Sequence, residues 1–456
     1  MSTDKEYLNK LKKDRIEPAQ VLVAGFMIII LIGTFLLNLP MASKSSNSIG
    51  LLNAFFTSTS AVCVTGLAVV DTISHWSSFG HTVIFILIQI GSLGFMSMTT
   101  LFFLFSGKRI TLRERVILQS FINYNKLSGV VKFIKYLLIY TIIAQGIGTI
   151  LLTFRFIPIY GLSKGLGLSA FYANSAFSNS GFDFIGDFPS LMPFTSDLII
   201  NITTMFLIII GGLGFSVILD IQEHKTRFYR LSSHSKLVLT MTIGLIFLGA
   251  LVLFVLEHNN PETLGELSFQ GKVISSFFQS VAPRTAGFYT IDINLMTTAS
   301  KFFIIVLMFI GGSPGSTAAG IKTATIGILF AAVISVLRGE KDTELFKRRI
   351  PEVIIKKALV VVLMAIFIVI TITMILTTTE KAAFMEILFE VVSAFGTVGL
   401  SLGITSELST IGKVAIIFTM FIGRLGPLTI GFAISRKQLQ NDKKHFRYPK
   451  DNIMVG

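Results

Sequence analysis

The chain has 456 residues, of which 52% are hydrophobic and only 14% charged, and it carries a formal net charge of +14. Roughly a quarter of an average soluble protein is charged, so this composition excludes an ordinary aqueous fold and makes the bilayer the solvent for most of the chain. A single cysteine, Cys63, excludes an internal disulfide.

In chain order, a charged leader over 1–18 precedes an apolar run over 19–40 that is longer than a signal-peptide core and is read as a first spanning helix. About 20 helical residues cross a hydrocarbon core. On that rule the apolar runs predict helices at 19–40, 79–105, 132–156, 196–219, 236–256, 300–337, 353–377 and 411–434. Eight crossings place both termini on one side. With the loops around 107–135, 220–236 and 338–357, those termini hold 29 Lys and Arg against 13 acidic residues, while the other side holds 8 against 12. Basic short loops stay cytoplasmic, so the termini are expected inside. The charge is then an orientation signal and not the footprint of a nucleic acid partner. The mildly acidic outer face raises the local concentration of cations.

Between successive helix pairs lie four segments too short or too broken to span, at 50–67, 166–182, 270–288 and 384–400. Each runs from an apolar stretch into a small, polar turn: S-A-V-C-V-T-G-L from Ser60, S-A-F-S-N-S-G-F from Ser175, V-A-P-R-T-A-G-F from Val281 and S-A-F-G-T-V-G-L from Ser393. Aligned on their last glycines, they superimpose Gly66, Gly181, Gly287 and Gly399, at spacings of 115, 106 and 112 residues. The following helix carries a second mark: I-G-S-L-G-F at Ile90, I-G-G-L-G-F at Ile210, I-G-G-S-P-G at Ile310 and I-G-R-L-G-P at Ile422. Two marks in four copies at near-fixed spacing imply a fourfold duplication. The expected fold is an all-α integral membrane protein of four tandem helix, pore loop, helix (M1-P-M2) repeats in pseudo-fourfold array, with eight transmembrane helices around one pore. The repeats are assigned to 19–106, 107–219, 220–337 and 338–434, followed by a cytoplasmic tail at 435–456.

Irregular backbone at membrane depth is tolerated where it is buried in protein or lines a water-filled cavity. Four such turns would meet on one axis, where glycine lets consecutive carbonyl oxygens face inward and replace the hydration shell of a cation. The short helix before each turn would point its partially negative carboxyl end at the cavity. The predicted selectivity filter is Val64, Thr65 and Gly66; Asn179, Ser180 and Gly181; Thr285, Ala286 and Gly287; and Thr397, Val398 and Gly399. Packing of small residues between helices explains one such glycine as well, but it requires no polar turn at a fixed register in four copies. Cys63 and Asn179 border the turns and also fit a space-filling role.

The long segment at 300–337 is interrupted by G-G-S-P-G-S-T-A-A-G-I-K-T over 311–323. Gly311, Gly312, Ser313, Pro314, Gly315, Ser316, Thr317 and Gly320 free backbone groups from helical bonding there, either as an obstruction below the filter or as a passive kink. Arg424 lies well inside an apolar helix, where a charge costs roughly 2.5 to 3.5 kcal/mol on insertion scales. It reads as a cationic barrier, as an anchor for the carbonyls of 311–323, or as one half of a buried ion pair. Lys322 invites the same reading or snorkels toward the cytoplasm. Arg284, beside the third turn, is expected to point away from the ion toward an acid such as Glu390.

At these residues the chain resembles the Trk, Ktr and HKT superfamily of potassium transporters, and within it the Ktr membrane subunits, over essentially its whole length. The resemblance implies potassium uptake, a gate at 311–323 and a potassium preference, since plant members with altered sodium selectivity often carry serine where Gly66 stands. It also implies a homodimer in the lipid bilayer on a cytosolic nucleotide-binding regulatory subunit of the RCK type (KtrA- or KtrC-like). No covalent cofactor is expected, only potassium ions in the filter, with sodium as a second candidate. A secondary transporter of another cation or small solute is the alternative, although such proteins usually show two repeats. An enzyme would need clustered acids, bases or nucleophiles at one depth, and the sequence offers two isolated cations.

Overall fold

The structure, a computed structural model, describes residues 18–94, 130–183, 190–225 and 227–434. The first quarter contributes α1 (Pro18–Asn38), α2 (Leu51–Cys63) and α3 (Ser78–Leu93). The second contributes α4 (Val130–Tyr160), α5 (Leu162–Ser178), α6 (Leu198–Gly212) and α7 (Phe215–His224). In the third are α8 (Ser233–Glu257), α9 (Phe269–Val281), α10 (Thr298–Phe309) and α11 (Thr323–Leu337). The fourth holds α12 (Glu352–Thr379), α13 (Phe384–Gly396), α14 (Thr410–Leu425) and α15 (Pro427–Ile434). A two-residue hairpin, β1 (Glu344–Leu345) and β2 (Arg348–Arg349), joins α11 to α12.

Among the described residues, α1, α4, α8 and α12 are each long and apolar enough to cross a bilayer, and the bent pair α6 and α7 makes a fifth candidate span. Their outward faces leave large apolar side chains exposed, such as Phe154 at 68% and Phe367 at 71%. Water would oppose such faces; hydrocarbon accepts them. Between the long helices sit α2, α5, α9 and α13, of 13 to 17 residues, too short to cross. Their carboxyl-terminal halves are almost wholly buried, with Ser60, Phe177, Phe278 and Phe395 at 1% exposure or less. One core cluster ties α2 to α13 through Ile84, Phe389 and Met420. A second ties α5 to α9 through Phe156, Tyr172 and Phe288, with the Tyr172 and Phe288 rings 4.8 Å apart. These clusters hold the four short helices in place.

Two expectations of continuous second helices are corrected. The run at 196–219 is bent by 96° between α6 and α7, at Gly214, whose φ of 93° breaks the right-handed helix. The reason lies elsewhere in the chain: the Ser313 amide donates to Gly212 O at 3.0 Å and the Phe215 amide to Gly315 O at 2.9 Å. Those bonds take the place of helical ones. The run at 411–434 likewise divides at Gly426, φ 84°, just before Pro427, which has no amide hydrogen to continue the ladder. The first such helix ends at Gly94, φ 81°. Its expected extension to 105, the repeat boundary at 106 and the basic segments at 1–17, 95–129 and 435–456 lie outside the described residues.

Candidate functional site

Each of the four turns carries the same sequence of backbone signs. The first and third residues have positive φ: Val64 58° and Gly66 87°, Asn179 58° and Gly181 67°, Thr285 73° and Gly287 73°, Thr397 49° and Gly399 91°. Thr65, Ser180, Ala286 and Val398, between them, do not. A β-branched residue such as Val64 or Thr397 in the left-handed region is strained and persists only where its surroundings over-determine it. In three turns the surroundings include a helix-ending motif in which the amides of Thr65, Ser180 and Val398 donate to the carbonyls of Ser60, Ser175 and Ser393, five residues back, at 2.8, 2.9 and 2.8 Å. The third differs, since the Ala286 amide reaches Ala282 O, four residues back, at 2.9 Å.

The four turns touch one another in a closed ring. A methyl group added at Gly66 would meet Ser180 O and lie 2.8 Å from Gly181 Cα; one at Gly181 would lie 3.0 Å from Gly287 Cα and 3.2 Å from the carbonyl oxygens of Ala286 and Val398. At Gly287 it would lie 2.5 Å from Val398 O, and at Gly399 it would meet Thr65 O and lie 3.2 Å from Gly66 Cα. Chain positions more than 330 residues apart therefore share one small space, faced by the carbonyls of the middle residues. Among the described residues, no hydrogen bond ends on the backbone oxygens of these four tripeptides. The hydroxyls of Thr65 and Thr397 are buried there without a partner, while the Asn179 side-chain amide lies 3.3 Å from Thr285 Oγ1. Unpaired buried oxygens are costly, and a cluster of them suits a desolvated cation.

The loop from Gly311 to Lys322 lies against the ends of α5 and α13 that lead into this ring. Thr317 ties it to the second quarter: its hydroxyl donates to Gly211 O at 3.0 Å and Phe177 O at 3.2 Å. Within the loop, the Thr323 amide donates to Gly312 O at 3.0 Å, Ser313 Oγ meets Thr323 Oγ1 at 3.0 Å and Ser316 Oγ donates to Ser313 O at 2.7 Å. The structure puts Pro314 and Gly315 at the bend of α6 and α7, since a methyl on Gly214 would lie 2.5 Å from Pro314 O. Gly320 takes φ 67°, and a methyl there would come within 3.3 Å of Gly396 Cα at the end of α13.

Arg424 donates from Nη1 to Thr317 O and from Nη2 to Gly91 O and, at 3.3 Å, to Ser92 O. One guanidinium from the fourth quarter thus gathers the loop of the third and the second-helix end of the first. Of the readings open in the sequence, the geometry is that of an anchor, and among the described residues no carboxylate pairs with it. Lys322 turns back into the loop, donating to Ala318 O at 2.8 Å. Both cations line a cavity of about 220 Å³ bounded by Leu22, Phe26, Leu137 and Phe215.

The expected pairing of Arg284 with Glu390 is corrected. Arg284, 6% exposed, donates to Thr242 Oγ1 at 3.3 Å. Glu390 accepts from Ser401 Oγ at 2.6 Å and Thr405 Oγ1 at 2.5 Å, both in the segment that follows its own turn. Hydroxyls nearer in the chain satisfy the carboxylate first.

Sequence reasoning singled out the second-mark glycines without a function for them. Gly91, Gly211 and Gly423 each leave room for a backbone carbonyl from the end of a short helix, those of Val62, Phe177 and Phe395. It missed the serines that open three of the turn motifs. The Gly66 amide donates to Ser60 Oγ and the Gly399 amide to Ser393 Oγ, both at 3.1 Å. Ser175 Oγ instead meets Ser180 Oγ and donates to Phe182 O, each at 2.8 Å. Their recurrence six residues before the aligned glycine was the available signal.

The family model described as TrkH, cation transport protein, matches residues 7–445. The chain is 44% identical over 446 residues to the Ktr system potassium uptake protein B of Bacillus subtilis (strain 168), covering 98% of each. It is 40% identical over 453 residues to the potassium/sodium uptake protein NtpJ of Enterococcus hirae, covering 98% of this chain and 99% of that one. These relatives are named as transport proteins, not enzymes. Among solved structures, the potassium transporter TrkH from Vibrio parahaemolyticus superimposes with a TM-score of 0.71 at 16% identity, over 91% of this chain and 85% of that one, a likeness of fold alone. With a family model spanning nearly all of it and relatives at 40% identity or more along its length, the chain belongs to the TrkH family of cation transport proteins.

Proposed function

We propose that this chain carries potassium ions into the cell through a passage whose selective part is the ring formed by the tripeptides ending at Gly66, Gly181, Gly287 and Gly399. The observation that carries the reading is that four turns with one pattern of backbone signs close on one another. Carbonyl oxygens with no protein partner would there replace an ion's water. The names of the Bacillus and Enterococcus relatives support potassium as the ion, and the second supports an influence of sodium. On this reading the chain holds four helix, pore loop, helix repeats and eight spans with both termini cytoplasmic in the plasma membrane. The loop 311–323 is a gate latched by Arg424. Relatives named as parts of a Ktr system support work with other components, here a second copy of this chain and an RCK-type regulatory subunit.

The test is rubidium uptake into vesicles holding the purified protein, with potassium and sodium as competitors. Uptake that potassium suppresses and Gly66→Leu abolishes is expected. Uptake of an organic solute, or alkali uptake unaltered by Gly66→Leu, overturns the reading.

A further inference from the structure

The four turns share a backbone shape but not the means of holding it. In the first and fourth, a fully buried serine at the end of the short helix receives the amide of the ring glycine: Gly66 on Ser60 and Gly399 on Ser393, each at 3.1 Å. The same serine's carbonyl receives the amide of the middle residue, Thr65 or Val398, at 2.8 Å. Each serine thus holds two successive peptide groups, and the carbonyl of the middle residue is the one that faces the neighbouring turns. In the second turn the serine hydroxyl is engaged elsewhere, by Ser180 and Phe182. In the third there is no hydroxyl at all, because Val281 occupies the place.

We propose that the Ser60 and Ser393 hydroxyls are specificity-determining positioning groups, clips that fix the glycine peptides of two neighbouring turns and so set the size of the carbonyl ring. The first and fourth turns adjoin each other, since a methyl on Gly399 would come within 3.2 Å of Gly66 Cα. The clipped pair therefore forms one rigid side of the ring. Opposite it stand two turns without that bond, one of them in the quarter that carries the intramembrane loop. A ring with a fixed side resists contraction around a smaller ion, so the clips act on discrimination more than on throughput.

The inference rests on the proposed potassium passage. Rubidium uptake and the sodium concentration that halves it are measured in vesicles for the native protein, Ser60→Ala, Ser393→Ala and Ser58→Ala. Ser58 lies on the same helix and donates to Ile30 O at 2.7 Å, a buried bond that touches no ring amide. Each clip variant is expected to lose about threefold to tenfold in rubidium-over-sodium discrimination, the range for one lost net hydrogen bond, with maximal uptake within about twofold. Ser58→Ala is expected to keep its discrimination. Unchanged discrimination in both clip variants, or an equal loss in Ser58→Ala, overturns the clip while leaving the passage standing. No alkali uptake by the native protein removes both. Where a clip variant transports nothing, the melting temperature of the purified protein is read in potassium and in sodium. A potassium-specific rise that the variant lacks supports the clip, and one that it retains in full overturns it.

Discussion

The third quarter of the molecule and the other three solve the same problem with different parts. In the first, second and fourth, a serine carbonyl receives an amide five residues on, and the right-handed helix that follows the turn stops at a glycine of positive φ: Gly94, Gly214 or Gly426. In the third, Val281 replaces the serine, the helix end is bonded four residues back, and the break opens into the loop from Gly311 to Lys322. Yet Thr285 and Gly287 adopt the same backbone signs as their counterparts. The lesson is that four turns closing on one another demand one backbone shape from every quarter, whatever local bonding produces it.

The largest expected effect attacks what the quarters share. In Gly287→Ala the new methyl lies 2.5 Å from Val398 O at a φ of 73°, so uptake should fall by roughly a hundredfold or more, combining left-handed strain with a clash against backbone. Gly146→Ala, where a methyl meets nothing within 4 Å, should leave rubidium uptake unchanged. Equal uptake by the two variants would end the idea that all four turns must match.

The next two predictions concern what sets the third quarter apart. Arg424→Gln removes the donors to Thr317 O and Gly91 O and one fixed positive charge facing the cavity, so flux in well-inserted protein should rise about fivefold or more. Unchanged or abolished flux would separate Arg424 from gating. Thr317→Val keeps the carbonyl that Arg424 uses but loses the hydroxyl bonds to Phe177 and Gly211. A rise of about twofold to fivefold is expected, smaller than that of Arg424→Gln; a larger one would make the hydroxyl the principal latch.

The smallest prediction concerns the junctions where the helix after each turn begins, where the quarters again differ in chemistry. Ser77 donates to Met41 O in the first, Arg155 pairs with Asp197 at 3.0 Å in the second, and Glu257 accepts from the amide and hydroxyl of Thr297 in the third. In the fourth, Glu380 accepts from the Ser409 amide at 2.9 Å and hydroxyl at 2.5 Å. Burial raises the Glu380 carboxyl, but the bonds from Ser409 and Thr379 outweigh it and leave it below its ordinary value. A lowered folded value contributes stability above the unfolded pKa of about 4.3 and loses it as pH falls through the folded one. Glu380→Gln should therefore lower the melting temperature by about one or two degrees at pH 7, a difference that shrinks as pH falls through the folded value and is small because solvent screens the group. A difference that stays constant as the carboxyl is titrated would assign the effect to shape and not to charge.

Periodic marks along the chain were enough to locate the short helices, the aligned glycines and the broken third segment, because apolar run length and turn composition are local properties. Ser60 and Ser393 were visible as the opening letters of their motifs, but a serine at the end of an apolar helix has many uses until the amide it receives is seen. The partners of Arg424, Arg284 and Glu390 were out of reach for the same reason. Arg424 ends on carbonyls from two other quarters, while Glu390 takes hydroxyls 11 and 15 residues away, and pairing rules for charges do not choose between them. The bend in the helix at 196–219 is likewise imposed from outside, by amide bonds exchanged with Ser313 and Gly315. Turn chemistry and apolar length are carried by neighbours in the chain. Which backbone oxygen meets which donor depends on how separate quarters pack together.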